Sequence, residues 1–239
     1  SNFEYSCGVG FSSDYYVQRR ASFERNNDTA SWLAQYMGTP IERDGSVFIP
    51  DDLRYYNGEL PDVEPDRIFM AVDPAWGGGD FTSAPVCFQY GNDLYVHDVV
   101  FNNSDKRVTQ PDIVNKAIKW GVQAISVEAT KTTASYTEGI NDMLREKGYR
   151  LNVQSTTKSF TGEGKRQRIF DKAPEIRECM VFRESGCRNK EYEQFMQNIF
   201  AFHLTMNKKA HEDAPDSCVM ALNMAFFSRA IVEIKKRRF

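Results

Sequence analysis

Four carboxylates occupy positions where folded chains commonly gather ligands. Asp73 follows the apolar run 68–72, and Glu128 follows the apolar run 124–127. Asp213 and Asp216 lie three residues apart at the predicted start of the last helix, so they share one face of it. Oxygen-only clusters suit Mg²⁺ or Mn²⁺, and two such ions about 3.5–4 Å apart can hydrolyse a phosphodiester. The residue types therefore predict metal-dependent hydrolysis.

Each of these acids also has a structural alternative. A strand often ends at an aspartate that faces solvent, and acids in a helix's first turn satisfy unpaired N–H groups and the helix dipole. Asp80 follows the glycine turn 77–79 and is either an outer metal ligand or a cap for the next strand. The case for a site depends on three separate elements supplying carboxylates together.

Basic residues are concentrated between 145 and 168, whereas residues 42–66 are strongly acidic. A local basic segment in a weakly acidic chain is either a phosphate-binding face or solvated surface. The candidates for DNA contact are Lys158, Lys165, Arg166 and Arg168. In a helix that starts near Lys165, Arg168 shares its face while Arg166 points aside. We expect Lys165 and Arg168 to contact backbone phosphates, with help from Lys158.

Composition excludes several other classes of protein. The chain has 239 residues, a net charge of −3, five cysteines and three histidines. No two cysteines form a C-x-x-C pair, so neither a zinc site nor a disulfide framework is expected. No apolar run approaches the roughly 18–20 residues that span a membrane, and no signal peptide is recognisable.

The elements that must position the acids can be read from the apolar pattern. Residues 68–72 and 124–127 read as buried strands, and 83–90 and 94–101 as a hairpin joined by Gly-Asn-Asp. Further strands are predicted at 151–154 and 180–182. Helices are predicted at 111–120, 136–147, 165–177 with an interruption near Pro174, 191–202 and 214–229. This order predicts an α/β fold with a mixed sheet flanked by helices.

Several segments resemble the nuclease domain of tailed-phage terminase large subunits, the motors that package viral DNA. The resemblance is carried by IFMAVDPAWGGGD at 68–80, ISVEAT at 125–130 and HEDAPDS at 211–217. It is supported by KRQRI at 165–169, WLAQYMGTPI at 32–41 and GSVF at 45–48. These segments extend over nearly the whole chain, and their order and spacing are more specific than any single motif.

The resemblance implies a ribonuclease-H-like fold and a metal-dependent endonuclease that cuts concatemeric double-stranded DNA with two ions, Mg²⁺ or Mn²⁺. The acidic triad of that family maps onto Asp73, Glu128 and Asp216, and Asp213 matches a position that often carries a further ligand. Many relatives carry Asp where this chain has Glu128. The implied partners are DNA, the procapsid portal and the small terminase subunit, and the implied location is the host bacterial cytoplasm, with no membrane.

The same resemblance suggests a division into residues 1–66, a linker region that precedes the nuclease, and residues 67–239, the nuclease domain. Nothing in the chain resembles the phosphate-binding loop G-x-x-x-x-G-K-[ST], so the ATPase domain of a parent terminase is expected to be absent from it. Two alternatives stay open. One is another ribonuclease-H-like nuclease of the junction resolvase or transposase type, and the other is a catalytically inert module that docks on DNA or capsid.

Overall fold

The computed structural model describes residues 13–25, 46–75, 80–129, 134–157, 162–203 and 212–236. The strands are β1 (Arg54–Tyr56), β2 (Arg67–Val72), β3 (Thr82–Tyr90), β4 (Asp93–Asn102), β5 (Ala124–Ala129), β6 (Asn152–Thr157) and β7 (Met180–Arg183). The helices are α1 (Ser13–Arg25), α2 (Lys106–Lys119), α3 (Ala134–Glu146), α4 (Gly162–Cys179), α5 (Lys190–Phe200) and α6 (Asp213–Lys236).

The strands form one mixed sheet in the order β1-β7-β4-β3-β2-β5-β6. β3 runs antiparallel to both β2 and β4, and every other neighbouring pair is parallel. The parallel pairing of β2 with β5 sets Val72 opposite Val127. Asp73 and Glu128 come immediately after these two residues, so the topology brings both acids to one edge of the sheet. The predicted mixed α/β fold is confirmed.

Helices cover both faces of the sheet. On one face, α2 and α3 bury residues such as Ile113 and Ile140 against Met70, Val86 and Ile125 of the strands. On the other face, α5 packs on β4, and α6 packs on β2 and β3. The central strands are therefore buried on both sides, and this explains why they read as continuous apolar runs.

Two helix predictions differ from the structure at proline residues. α2 begins at Lys106, ahead of Pro111, because the Asp105 carboxylate caps it by accepting the Arg107 N–H at 2.7 Å. α4 continues through Pro174, where the sequence suggested an interruption. A proline inside a helix removes one backbone hydrogen bond. At α4, packing against α6 and β7 offsets that loss.

The segment predicted as a linker contributes to the sheet. Residues Pro50–Asp52 form one turn of 3-10 helix, and β1 follows as an edge strand with Arg54 opposite Val181 of β7. Residues 30–36, where Trp32, Leu33 and Tyr36 predict a short helix, lie outside the described residues. The domain boundary at residue 66 stays a prediction.

Two compact units can be separated in the chain. One comprises Ser1–Val47 with His203–Lys209, and here the structure describes α1 and an antiparallel bridge between Ser46 and His203. The other comprises Phe48–Phe202 with Ala210–Phe239 and holds all seven strands. None of the described helices is long and apolar enough to cross a membrane. The four cysteines within the described ranges are free.

Candidate metal centre

Backbone hydrogen bonds to the neighbouring strand hold Asp73 at the end of β2. Its N–H donates to the Ser83 carbonyl at 2.9 Å, and its carbonyl accepts the Ser83 N–H at 2.9 Å. Pro74 follows and cannot donate to a sheet. The Ala75 N–H donates instead to Thr82 Oγ1 at 3.0 Å. The chain thus leaves the sheet directly after Asp73, whose side chain is buried at this edge.

Glu128 reaches the same edge from β5. It lies opposite Thr156 of β6, one residue beyond the Val72–Val127 pairing that joins β5 to β2. Its side chain is only 16% exposed. Because β2 and β5 are parallel neighbours, their carboxyl ends bring the two acids together.

The first turn of α6 presents the other two acids. The Glu212 carbonyl accepts the Asp216 N–H at 3.1 Å, so the helix begins at Asp213. The Asn198 side chain of α5 accepts the Ala214 N–H at 3.0 Å and satisfies one of the N–H groups that a helix start leaves unpaired. The Asp216 side chain is fully buried.

Carboxylate oxygens of Asp73, Glu128 and Asp216 all lie within 4.8 Å of one another. We call these three residues the acidic triad. They come from β2, β5 and α6, elements that are far apart in the chain. They are the three residues onto which the resemblance to terminases maps that family's acidic triad.

The two remaining predicted ligands lie beside the triad. Asp213 Oδ2 accepts the Phe81 N–H at 3.0 Å, so this carboxylate anchors the start of β3 to α6. Its other oxygen, Oδ1, lies 3.7 Å from Lys165 Nζ. Asp80 is exposed and is not part of the triad's 4.8 Å grouping. Asp213 is not part of that grouping either, but it shares Lys165 with Asp73 and Asp216.

Two basic side chains of α4, those of Lys165 and Arg168, lie against these carboxylates. Lys165 Nζ lies 2.9 Å from Asp73 Oδ2 and 3.2 Å from Asp216 Oδ2. The Arg168 guanidinium hydrogen-bonds Asp216 Oδ1, and its Nη2 lies 3.8 Å from Glu128 Oε1. Neither side chain projects from a solvated helix start, which was the alternative considered from the sequence.

The other two predicted DNA contacts have different positions. Arg166 points aside, as its helical position indicated, and its Nε donates to Glu212 Oε2 at 2.8 Å. Lys158 lies outside the described residues. It directly follows β6, which ends at Thr157, opposite Ala129 of β5.

Burial and crowding change the proton affinity of Asp73. Burial raises its pKa from 3.8 to about 8; Lys165 opposes this shift, and the neighbouring Asp216, Glu128 and Asp213 carboxylates add to it. Burial lowers the pKa of Lys165, but the surrounding carboxylates outweigh burial and raise it. The lysine therefore stays charged, while Asp73 holds its proton near neutral pH when no metal ion is bound.

The donor set fits a divalent cation. Four carboxylates (Asp73, Glu128, Asp213 and Asp216) face two cationic side chains, which leaves excess negative charge when all of them are ionised. Asp216 Oδ2 is buried and has no hydrogen-bond partner among the described residues. This oxygen faces the Lys165 ammonium at 3.2 Å, whereas most buried polar atoms also make a hydrogen bond. Hard oxygen donors of this kind suit Mg²⁺ or Mn²⁺.

Two serines that the sequence analysis did not identify support the site. Ser83 Oγ and Ser217 Oγ lie 2.8 Å apart, and Ser217 Oγ donates to the Ala214 carbonyl at 2.8 Å. They join β3 to the first turn of α6, and Ser83 also pairs with Asp73 through the backbone. The only sequence signal was the position of Ser217 directly after Asp216, because a contact between distant elements leaves no local pattern.

This sheet, its flanking helices and the acidic triad together define a ribonuclease-H-like nuclease fold. Residues 70–225 match the family model described as the terminase RNaseH-like domain, so the chain belongs to that family. No curated protein matches the sequence.

Solved structures agree with this fold. One is the human cytomegalovirus terminase nuclease domain, soaked with Mn and bound to an inhibitor. It has a TM-score of 0.54 and 12% identity, and the match covers 77% of this chain and 97% of that one. Another is the large terminase of a thermophilic bacteriophage, with a TM-score of 0.51 and 12% identity, covering 91% of this chain. The match spans 53% of that phage protein, about half its length.

Proposed function

We propose that this chain is a divalent-metal-dependent endonuclease that hydrolyses phosphodiester bonds of double-stranded DNA at the acidic triad. The observation that carries the proposal is the convergence of Asp73, Glu128 and Asp216 oxygens within 4.8 Å from three separate elements. Bringing several like charges together costs free energy unless a cation offsets their repulsion. Lys165 and Arg168 offset only part of that charge.

Within this proposal, Asp73 is the central ligand, because it lies at the end of β2 beside Glu128 and contacts the same lysine as Asp216. Asp216 presents a buried oxygen that lacks a hydrogen bond among the described residues, and Asp213 anchors β3 beside it. Two bound Mg²⁺ or Mn²⁺ ions would supply an activated water and charge stabilisation at the leaving oxygen. We propose two ions by analogy with that chemistry and with the family.

Lys165 has a second role in this proposal. Its Nζ lies where three carboxylates converge, and a divalent cation would compete for those oxygens. An ammonium released from them is well placed to contact a phosphate of the bound strand. Lys158 and Arg166 are proposed as further DNA contacts, because their positive charge would offset the repulsion between the carboxylates and the DNA backbone.

The family supports a biological setting for this activity. We propose that the chain forms the nuclease part of a phage terminase that cuts concatemeric DNA in the cytoplasm of the infected bacterium. The procapsid portal and a small terminase subunit are the proposed partners. The Mn-soaked cytomegalovirus relative supports manganese as one competent ion.

The test is cleavage of supercoiled plasmid DNA by the purified chain. We expect nicked and linear products in Mn²⁺ or Mg²⁺ and none when EDTA is in excess. Asp73→Asn removes one ligand charge from the triad and should abolish the products. Asp142→Asn is the matched control, because Asp142 is an exposed acid on α3 whose side chain is 67% accessible.

Undiminished cutting in excess EDTA would contradict metal dependence. If the wild-type chain neither binds Mn²⁺ nor cuts DNA, the inert docking module becomes the better explanation of this acidic cluster. Cleavage restricted to branched DNA would favour the junction resolvase alternative.

A further inference from the structure

The sequence predicts that Arg168 contacts a DNA phosphate, but in the structure its side chain is directed at the acidic triad. It is only 13% exposed, and its guanidinium hydrogen-bonds Asp216 Oδ1. The same nitrogen lies 3.8 Å from Glu128 Oε1. A residue that grips the DNA backbone needs donors in solvent, and this guanidinium instead lies against two members of the acidic triad.

The contact joins elements that the sheet does not join directly. Glu128 belongs to β5, whereas Asp216 belongs to α6, and α6 packs on β2 and β3. Arg168 belongs to α4, which packs along α6. One nitrogen, Nη2, faces both carboxylates, and the rigid plane of the guanidinium fixes its direction more closely than a flexible ammonium could.

The contact also gives the two carboxylate oxygens of Asp216 different surroundings. Oδ1 is engaged by Arg168, while Oδ2 is buried, faces Lys165 at 3.2 Å and has no hydrogen-bond partner among the described residues. Holding one oxygen of an aspartate fixes the rotation of the whole carboxylate. The second oxygen is then already directed at the point where the triad converges, so less reorganisation is needed when a cation binds.

We propose that Arg168 is a positioning residue, which orients Asp216 and Glu128 for the metal ion and does not contact DNA. This inference rests on the proposed function of the acidic triad. It predicts whether the loss of Arg168 strengthens or weakens metal binding. A guanidinium that acted only as a counter-charge would repel a divalent cation, so its removal would tighten metal binding. A guanidinium that positions the ligands has the opposite effect when it is removed.

The experiment is a calorimetric titration of Mn²⁺ into the full chain and into Arg168→Gln and Arg168→Lys. We expect Arg168→Gln to weaken Mn²⁺ binding about 10- to 100-fold, which is typical when a residue that orients metal ligands is lost. Arg168→Lys keeps the charge but not the rigid planar guanidinium, and should recover only part of the affinity. Arg177→Gln is the matched control, because Arg177 is on the same helix, is 20% exposed and pairs with Asp52 at 3.6 Å. It should bind Mn²⁺ like the wild type.

A second measurement separates positioning from DNA contact. DNA affinity in saturating Ca²⁺, measured across a salt series, should show the same log–log slope for Arg168→Gln as for the wild type. Unchanged or tighter Mn²⁺ binding by Arg168→Gln would overturn the inference, as would a slope lowered by about 0.9, the signature of one lost phosphate contact.

Failure of the proposed function has a different signature, namely a wild-type chain that binds no Mn²⁺. If circular dichroism shows that Arg168→Gln does not fold, Mn²⁺ binding by Arg168→Lys tests the inference instead. Weaker Mn²⁺ binding by a folded Arg168→Lys chain supports positioning, and wild-type affinity refutes it.

Discussion

Two clusters of buried charge lie in the same fold, and they are built differently. The first is the acidic cluster, formed by the acidic triad with Asp213, Lys165 and Arg168. The second, which we call the closed cluster, comprises Asp98 of β4, Lys116 of α2 and Glu191 of α5. Both tie helices to the sheet, but only the closed cluster satisfies its acids with the protein's own groups.

The closed cluster is saturated with hydrogen bonds. Lys116 Nζ lies 2.9 Å from Asp98 Oδ1 and 2.8 Å from Glu191 Oε2, and it also contacts the Val99 carbonyl. Asp98 Oδ2 accepts the Trp120 indole N–H at 2.8 Å. Burial alone would raise the pKa of Asp98, but Lys116 and the hydrogen bonds outweigh it and lower that pKa.

The acidic cluster shows the opposite electrostatic signature. The pKa of Asp73 is raised to about 8, because burial and neighbouring carboxylates outweigh Lys165. An acid whose charge is disfavoured in the folded chain contributes no stability through its ionised form. The comparison teaches that a buried charged group has a structural role where the protein itself supplies all of its hydrogen-bond and ion-pair partners. A buried acid that lacks such partners indicates a ligand site.

The largest expected effect is the loss of DNA cutting when an acid of the acidic cluster is replaced. Asp73→Ala should reduce plasmid cutting in Mn²⁺ by about a thousandfold or more, because a metal site supplies several kcal/mol and each factor of ten corresponds to about 1.36 kcal/mol. Stability without metal should be similar or higher, because the change removes a buried acid whose ionised form the folded chain disfavours. Cutting rates and thermal melts of both chains provide the check. A large loss of melting temperature with retained cutting would make Asp73 structural.

The second prediction makes the same substitution in both clusters. Lys116→Met leaves Asp98 and Glu191 without their buried cation, and should lower the free energy of unfolding by about 3–5 kcal/mol. Lys165→Met should cost less, because Asp73 can hold its proton in the metal-free chain. Urea unfolding with and without Mn²⁺ measures both effects.

Mn²⁺ should stabilise every chain whose acidic cluster can bind it, so the comparison is with the wild type at the same Mn²⁺ concentration. Relative to the wild type, Mn²⁺ should shrink the stability deficit of Lys165→Met and leave the deficit of Lys116→Met as it was, because the ion replaces a lost cation only in the acidic cluster. Equal rescue of the two variants, or of neither, would remove the distinction between the clusters.

The sequence predicted the acidic cluster better than the closed one. Asp73 and Glu128 each follow an apolar strand, and Asp213 and Asp216 share a helical face. Strand ends and helix spacing therefore indicated from the sequence that these acids could form one site. The inward direction of Arg168 was not predictable, because it depends on how α4 packs on α6. The closed cluster left no signal, since a lysine that contacts residues from two distant elements looks like any surface lysine in sequence.

The third prediction concerns pH. In the unfolded chain Asp73 releases its proton near its ordinary pKa of 3.8, whereas in the folded metal-free chain it does so near 8. Its contribution to stability is therefore fully present below about pH 4 and is lost as the pH rises through 8. The Asp98 contribution has the reverse sign. It is present above the ordinary value of 3.8 and is lost as the pH falls through its lowered pKa.

Metal binding should follow the same titration, because a carboxylate must lose its proton to bind a cation. We expect the apparent Mn²⁺ affinity to fall about tenfold per pH unit below about pH 8 and to level off above it. Calorimetry across this range is the measurement, with Asp142→Asn as the control that keeps the wild-type profile. A flat affinity between about pH 6 and 8 would show that Asp73 is not the ligand that releases the proton.

The smallest expected effect concerns the DNA path beside the acidic cluster. Lys158 directly follows β6 in the sequence, and Thr156 of β6 lies opposite Glu128. Lys158→Ala should weaken DNA binding in Ca²⁺ at every sequence tested and lower the log–log salt slope by about 0.9, the effect of one lost phosphate contact. Arg145→Ala is the control, because Arg145 is 79% exposed in the last turn of α3 and pairs with Asp142. Identical slopes for Lys158→Ala and the wild type would place the DNA path away from β6, and the basic residues 235–238 would be the next segment to test.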